Sequence, residues 1–180
     1  MATTVSYSAS MRTRKTNSAS NAKSSAASQE YYENTYNYVG IVHFAGMALK
    51  GKLIQSITLT ITCSGAGSGS SSKKLTFCQA KYQSLNTGVR GSAQVGATMG
   101  TLTGKFYSNT VTHTLNASSN AALFAAMKAY FEAGNSALVL YNGETSSSSG
   151  YSSNYARVTS CTISVSYIDA VVWYRDGSPW

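Results

Sequence analysis

The chain has 180 residues, room for one domain that buries roughly 70% of its unfolded surface but cramped for two. Hydrophobic residues reach 43% while charged ones make up 11%, under half the usual share of about 25%, so Ser, Thr, Asn, Gly and 13 tyrosines must supply the polar surface. The formal charge of +8 reflects scarce acids, and the cations stand in small separated groups (Arg12-Thr13-Arg14-Lys15, Lys50 with Lys52, Lys73-Lys74), which argues against a nucleic-acid partner; no apolar run approaches the length of a bilayer, so no membrane insertion is expected.

In chain order, Val5, Tyr7, Ala9 and Met11 alternate with Ser and Thr and predict a first strand. Thr16 to Ser28, rich in Ser, Ala and Asn, predicts an exposed loop. A tyrosine-rich segment, Gln29 to Tyr38, leads into Val39–Phe44, a central strand. Gly46 to Lys52 is a turn region, and Leu53 to Cys63 is the cleanest alternating strand of the chain. Gly65 to Ser72 has the composition of a flexible loop. Lys73 to Tyr82 predicts a strand with Leu75 and Phe77 in the core. Thr87 to Thr103 is difficult to phase, and Lys105 to Leu115 holds one or two β segments.

A single short helix is expected near residues 119–133. Ser118 or Ser119 would cap it, Gly134 would end it, and Leu123, Met127, Tyr130 and Phe131 would form its apolar face. Leu138–Tyr141 then predicts a strand, 142–150 a Gly/Ser loop, Tyr151–Ser153 a short strand, and Cys161–Tyr167 a strictly alternating one. Short alternating strands joined by Gly/Ser loops predict a mostly-β protein, a two-layer antiparallel sandwich of jelly-roll or Greek-key kind, with the helix covering an opening or edge. Residues 1–168 form the expected domain, and 169–180 an aromatic C-terminal segment.

The chemistry-bearing residues are few. Three cysteines cannot all pair within one chain. Cys63 and Cys161 continue the apolar parity of their strands, which predicts small buried core residues; a bridge between them is the alternative and needs adjacent strands of suitable geometry. His43 and His113 could each serve as a general base, or stand as ordinary strand histidines, since neither has a carboxylate nearby in sequence. Glu30 and Glu33 fall in an exposed segment, and Glu132 ends the helix in a solvent-facing position. No Gly-x-Ser-x-Gly elbow, acidic cluster or zinc spacing is present, so no catalytic residue, metal or cofactor is expected. Tyr31, Tyr32, Tyr36, Tyr38, Tyr151 and Tyr155, amid hydroxyls and amides, are candidate glycan- or partner-contact residues, with tyrosine's general suitability for β surfaces and interfaces as the plainer account. Trp173, Tyr174 and Trp180 form a candidate docking tail, with an ordinary edge strand carrying an aromatic staple as the equal alternative.

Three blocks carry a family likeness. The first is Gly40-Ile-Val-His-Phe44 followed by Leu53-Ile-Gln-Ser-Ile-Thr-Leu-Thr-Ile61. The second is Thr114-Leu115, the helix, Gly134-Asn135 and Leu138-Val-Leu140. The third is Tyr151-Ser-Ser153, Arg157 and Thr162-Ile-Ser-Val-Ser-Tyr167. In this order they resemble the DNRLRE-type β-sandwich modules of bacterial surface proteins and of related phage structural proteins. Ala45 follows Phe44 where that family often has Asp, and Val158 follows Arg157 where it often has Pro, so no ligand or metal role is carried over. The tail from Ala170 to Trp180 resembles the C-terminal ends of small phage tail or head-fibre proteins.

Together with the scarce charge and the lack of a secretory signal at the N-terminus, the resemblance implies a non-enzymatic phage or phage-like virion structural protein. It would be synthesised in the host cytoplasm and displayed at the virion surface, in the tail or fibre or as capsid decoration. Its expected partners are other virion subunits and further copies of itself, as a homo-oligomer. The alternative is a carbohydrate-binding module of a host-surface or extracellular complex, contacting a host surface glycan.

Overall fold

The structure, a computed structural model, describes residues 1–23, 25–32, 36–64, 73–106, 109–143 and 156–170. Val5, Tyr7, Ala9 and Met11, expected on one strand, are divided: Val5 and Tyr7 lie on β1 (Thr3–Ser8), Met11 on β2 (Ser10–Lys15), and Ala9 between them. At Ala9, whose N–H still donates to Cys161 O at 2.9 Å, the extended chain leaves one sheet for the other. The predicted loop from Thr16 to Ser28 holds the short β3 (Asn21–Lys23) and the start of β4 (Ala27–Tyr32). Ala26, Ala27 and Ser28 are buried. Hydropathy missed them because Ala and Ser are small enough to fit a close crossing without contributing an apolar signal.

The remaining strands are β5 (Tyr36–His43), β6 (Lys52–Cys63), β7 (Lys73–Ala80), β8 (Val95–Gly104), β9 (Thr110–Leu115), β10 (Ala137–Leu140) and β11 (Ala156–Asp169). The helices are α1 (Gly91–Gln94), a single turn that the unphased stretch did not reveal, and α2 (Ala121–Glu132). One antiparallel sheet runs β1-β11-β6-β9. The other runs β2-β5-β10-β7-β8, with β3 beside β2. Strand β4 joins them: Ala27–Gln29 pair with β11 and Glu30–Tyr32 with β5. The protein is thus a mostly-β, two-sheet sandwich.

Between the sheets lies a continuous core that includes Phe44, Ile57, Leu59, Ile61, Leu75, Phe77, Leu102, Phe106, Ile163 and Val165. The period-2 alternation of β6 and β11 places Ile57, Leu59, Ile61, Ile163 and Val165 inward. The opposite positions carry hydroxyls: Thr4, Ser6 and Ser8 on β1, Thr162, Ser164 and Ser166 on β11, Ser56 to Thr62 in alternation on β6, and Thr110, Thr112 and Thr114 on β9. Register aligns them in rows across the sheet, Ser8–Thr162–Thr60–Thr112 and Ser6–Ser164–Thr58–Thr114.

Strand β10 breaks the alternation. All four of its residues are buried, because Leu138 and Leu140 face the main core while Ala137 and Val139 join Val39, Cys78 and Ala80 in a second small cluster. The middle of this sheet is therefore covered on both faces at β10 and the adjoining parts of β5 and β7, which is why β10 reads as a continuous apolar run.

Helix α2 buries Leu123, Phe124, Met127, Tyr130 and Phe131, the predicted face plus Phe124. Its start differs from expectation. Neither serine caps it; Asn116 Oδ1 accepts the amides of Ser118 and Ser119 at 2.8 Å each, and the helix begins after Asn120, which is left-handed at φ 53°. Its end matches: Gly134, at φ +96°, donates its N–H to Phe131 O at 2.9 Å, and Asn135 N–H reaches Tyr130 O at 3.4 Å, the two bonds of a Schellman turn.

Candidate functional site

The pairing of β4 with β5 brings four of the six candidate tyrosines into one hairpin. Tyr32 is registered with Tyr36, Tyr31 with Asn37 and Glu30 with Tyr38; Tyr38 is half-buried. This hairpin sits at the corner where β4 passes from one sheet to the other. Tyr151 and Tyr155 lie outside the described residues, as do Trp173, Tyr174, Trp180 and the predicted strand at 151–153. The chain is described again from Ala156, which pairs with Gln29, two positions before Tyr31.

Two local features hold the corner. Gly40 in β5 is buried against Ala27, and a Cβ there would lie 2.9 Å from Ala27 Cβ and 3.0 Å from its carbonyl carbon. Only glycine admits this approach. Beside it, the buried Thr13 hydroxyl donates to Ala26 O and accepts the N–H of Ser28 at 2.8 Å, which ties β2 to the entry of β4.

The basic group Arg12–Lys15 is not simply a solvated cluster. Arg14 is 3% exposed and donates to Asn21 Oδ1 (3.1 Å), Thr87 Oγ1 (2.9 Å), Val89 O (2.7 Å) and Leu85 O (2.8 Å). All four acceptors are neutral. Burial, and then the nearby charge of Arg12, pull its pKa below the ordinary value. Arg14 is the anchor of the 85–90 loop, a role that no local pattern in the sequence signals.

Glu132, expected to face solvent, is 22% exposed. It accepts the Ile54 N–H at 2.7 Å and pairs with Lys128, whose Nζ donates to Ile54 O at 2.8 Å. β9 pairs with β6 only over Ile57–Thr62, so the helix's ion pair serves both backbone groups of Ile54 beyond the end of β9. Asp169 pairs with Lys52. That hydrogen bond is the main cause raising the Lys52 pKa.

The cysteines are free and buried. Cys161 is registered with Ile61 and Val158 with Cys63, so the two thiols lie on adjacent strands, unbridged. Burial pushes both up to about 12, with the nearby Cys63 adding to the rise at Cys161. His43 lies on β5 and His113 on β9. His113 packs against Phe106, ring centroids 5.8 Å apart, and burial lowers its pKa. Among the described residues no three His, Cys, Asp or Glu side chains converge as a metal site would need.

Shallow depressions open on the surface among the described residues. One of about 440 Å³ is lined by Lys105, Asn109 and Thr110–Thr112; another of about 330 Å³ lies at the start of α2. Neither encloses a small molecule as binding clefts do. Apart from these depressions, strand pairing gathers two groups of residues, the tyrosines of the β4–β5 hairpin and the hydroxyls of the β1-β11-β6-β9 sheet. No family model matches the chain, and comparison with curated proteins finds none similar to it.

Proposed function

We propose that this chain is a non-enzymatic structural subunit of a phage or phage-like virion, displayed on the particle in the tail or fibre or as capsid decoration, and acting through assembly and surface recognition. The observation that carries this reading is the strand order. Leaving aside β2–β4, the sheets run β1-β11-β6-β9 and β5-β10-β7-β8, and eight strands so connected support a jelly roll, the double Greek key used by viral capsid and lectin domains. Fold alone does not define function. The resemblance to DNRLRE-type modules and the charge-poor, hydroxyl-rich exterior favour the particle. The test is electron microscopy of phage particles with labelled antibody to the protein: signal at a fixed site supports the reading, and a protein found on no particle overturns it.

The four tyrosines of the β4–β5 hairpin favour a second reading, a carbohydrate-binding module. It expects glycan affinity from the isolated protein that is lost in Tyr32→Ala and Tyr36→Ala; an unresponsive glycan array removes it.

A further inference from the structure

The outer face of the β1-β11-β6-β9 sheet is chemically uniform. Its outward positions between Thr4 and Ser8, Ser56 and Thr62, Thr110 and Thr114, and Thr162 and Ser166 are all Ser or Thr, with no charged or aromatic side chain among them. Many of the hydroxyls already bond to one another across the strands: Thr62 to Thr110 at 2.9 Å, Thr58 to Thr114 and Thr60 to Thr112 at 3.3 Å, and Ser6 to Ser164.

We propose that this hydroxyl face is a contact face between copies of this chain, two such faces stacking about a two-fold axis, a proposal whose setting rests on the assembly reading above. Charge selects the occupant. A chain of formal charge +8 repels its copies wherever cations meet, and this face carries none. An acidic partner would seek the cationic surfaces instead. A neutral hydroxyl lattice is best matched by another neutral lattice, and the one at hand is the same face of a second copy.

Lateral bonding lowers the cost of covering it. In each of the four bonded pairs one O–H keeps its acceptor when water leaves, and the second O–H, like the hydroxyls outside those pairs, must find its acceptor on the facing copy. With strands about 4.8 Å apart and a rise of about 3.4 Å per residue, the face measures roughly 19 by 20 Å, near 400 Å² in plan. That is about half of the roughly 800 Å² per partner of a standard interface. The pairwise contact is therefore weak, and holds where several contacts act together.

Sedimentation velocity of the full chain from micromolar to millimolar concentration tests this. The expected result is concentration-dependent dimerisation, weakened at least about tenfold in the double variant Thr60→Arg/Ser164→Arg and unchanged in Thr101→Arg on β8, with circular dichroism melts showing that all are folded. Hydrogen exchange of the unaltered chain is a second measurement that needs no variant: amides of β6 and β9 should slow as concentration rises. A chain that stays monomeric throughout overturns the proposal. So does a double variant that associates like the parent, or glycan binding that the double variant abolishes. Particle incorporation separates the two readings. A protein absent from all particles defeats the virion assignment but leaves the measured association standing. A double variant incorporated at the parent's level defeats this face and leaves the virion assignment standing.

Discussion

At the scale of single residues, Arg14 and the cysteines show how burial sets chemistry. The Arg14 guanidinium replaces its lost hydration with four neutral acceptors on two segments. Arg14→Met would leave those acceptors unpaired in the interior and is expected to cost about 2–4 kcal/mol in urea unfolding. Arg14→Lys should recover little, because an ammonium cannot span the same fork of acceptors. Cys63 and Cys161, with pKa values pushed from 9.0 to about 12, should resist a thiol reagent at pH 8 and react fully once unfolded. The raised values also make stability pH-dependent. The folded state keeps its thiol protons where the unfolded chain has lost them, so the contribution is whole below pH 9 and drains away as pH climbs through 12. Melts of a Cys63→Ala/Cys161→Ala variant should accordingly fall less steeply between pH 9 and 11 than those of the parent.

At the scale of elements, the β4 crossing and α2 carry the architecture. The two sheets are linked through β4 only because Gly40 lets Ala27 pass within van der Waals contact of the β5 backbone. Gly40→Ala puts a methyl against backbone that cannot yield, and should destabilise by about 2–3 kcal/mol, read by denaturant midpoint. Helix α2 illustrates what was legible. Its apolar face and Gly134 terminator follow from spacing and from glycine's freedom at positive φ. Its beginning does not, because Asn116 Oδ1 holds the Ser118 and Ser119 amides in a turn and the helix starts only after Asn120. Glu132 was misjudged for a related reason: its partner Ile54 lies 78 residues away in sequence, and no local pattern carries that information.

At the scale of the whole molecule, the virion reading expects that deleting residues 170–180 leaves the sandwich folded, since β11 ends at Asp169, yet abolishes incorporation into particles. Circular dichroism and quantification of the protein on purified particles check both halves; undiminished incorporation would remove the docking role of Trp173, Tyr174 and Trp180.

The sequence by itself determined the class of fold, the long β6 strand, the Cys161–Tyr167 half of β11, the helix face and the core set around Ile57, Leu59, Ile61, Ile163 and Val165. Hydrophobic periodicity is a local property that a strand or helix must satisfy to bury one side. Only the tertiary structure decided that one N-terminal stretch serves two sheets, that β10 is buried on both faces, that Arg14 holds a distant loop, and that hydroxyls scattered over four segments form one charge-free plane. Each of these depends on which strands become neighbours, and strand pairing over long separations is written in no single segment.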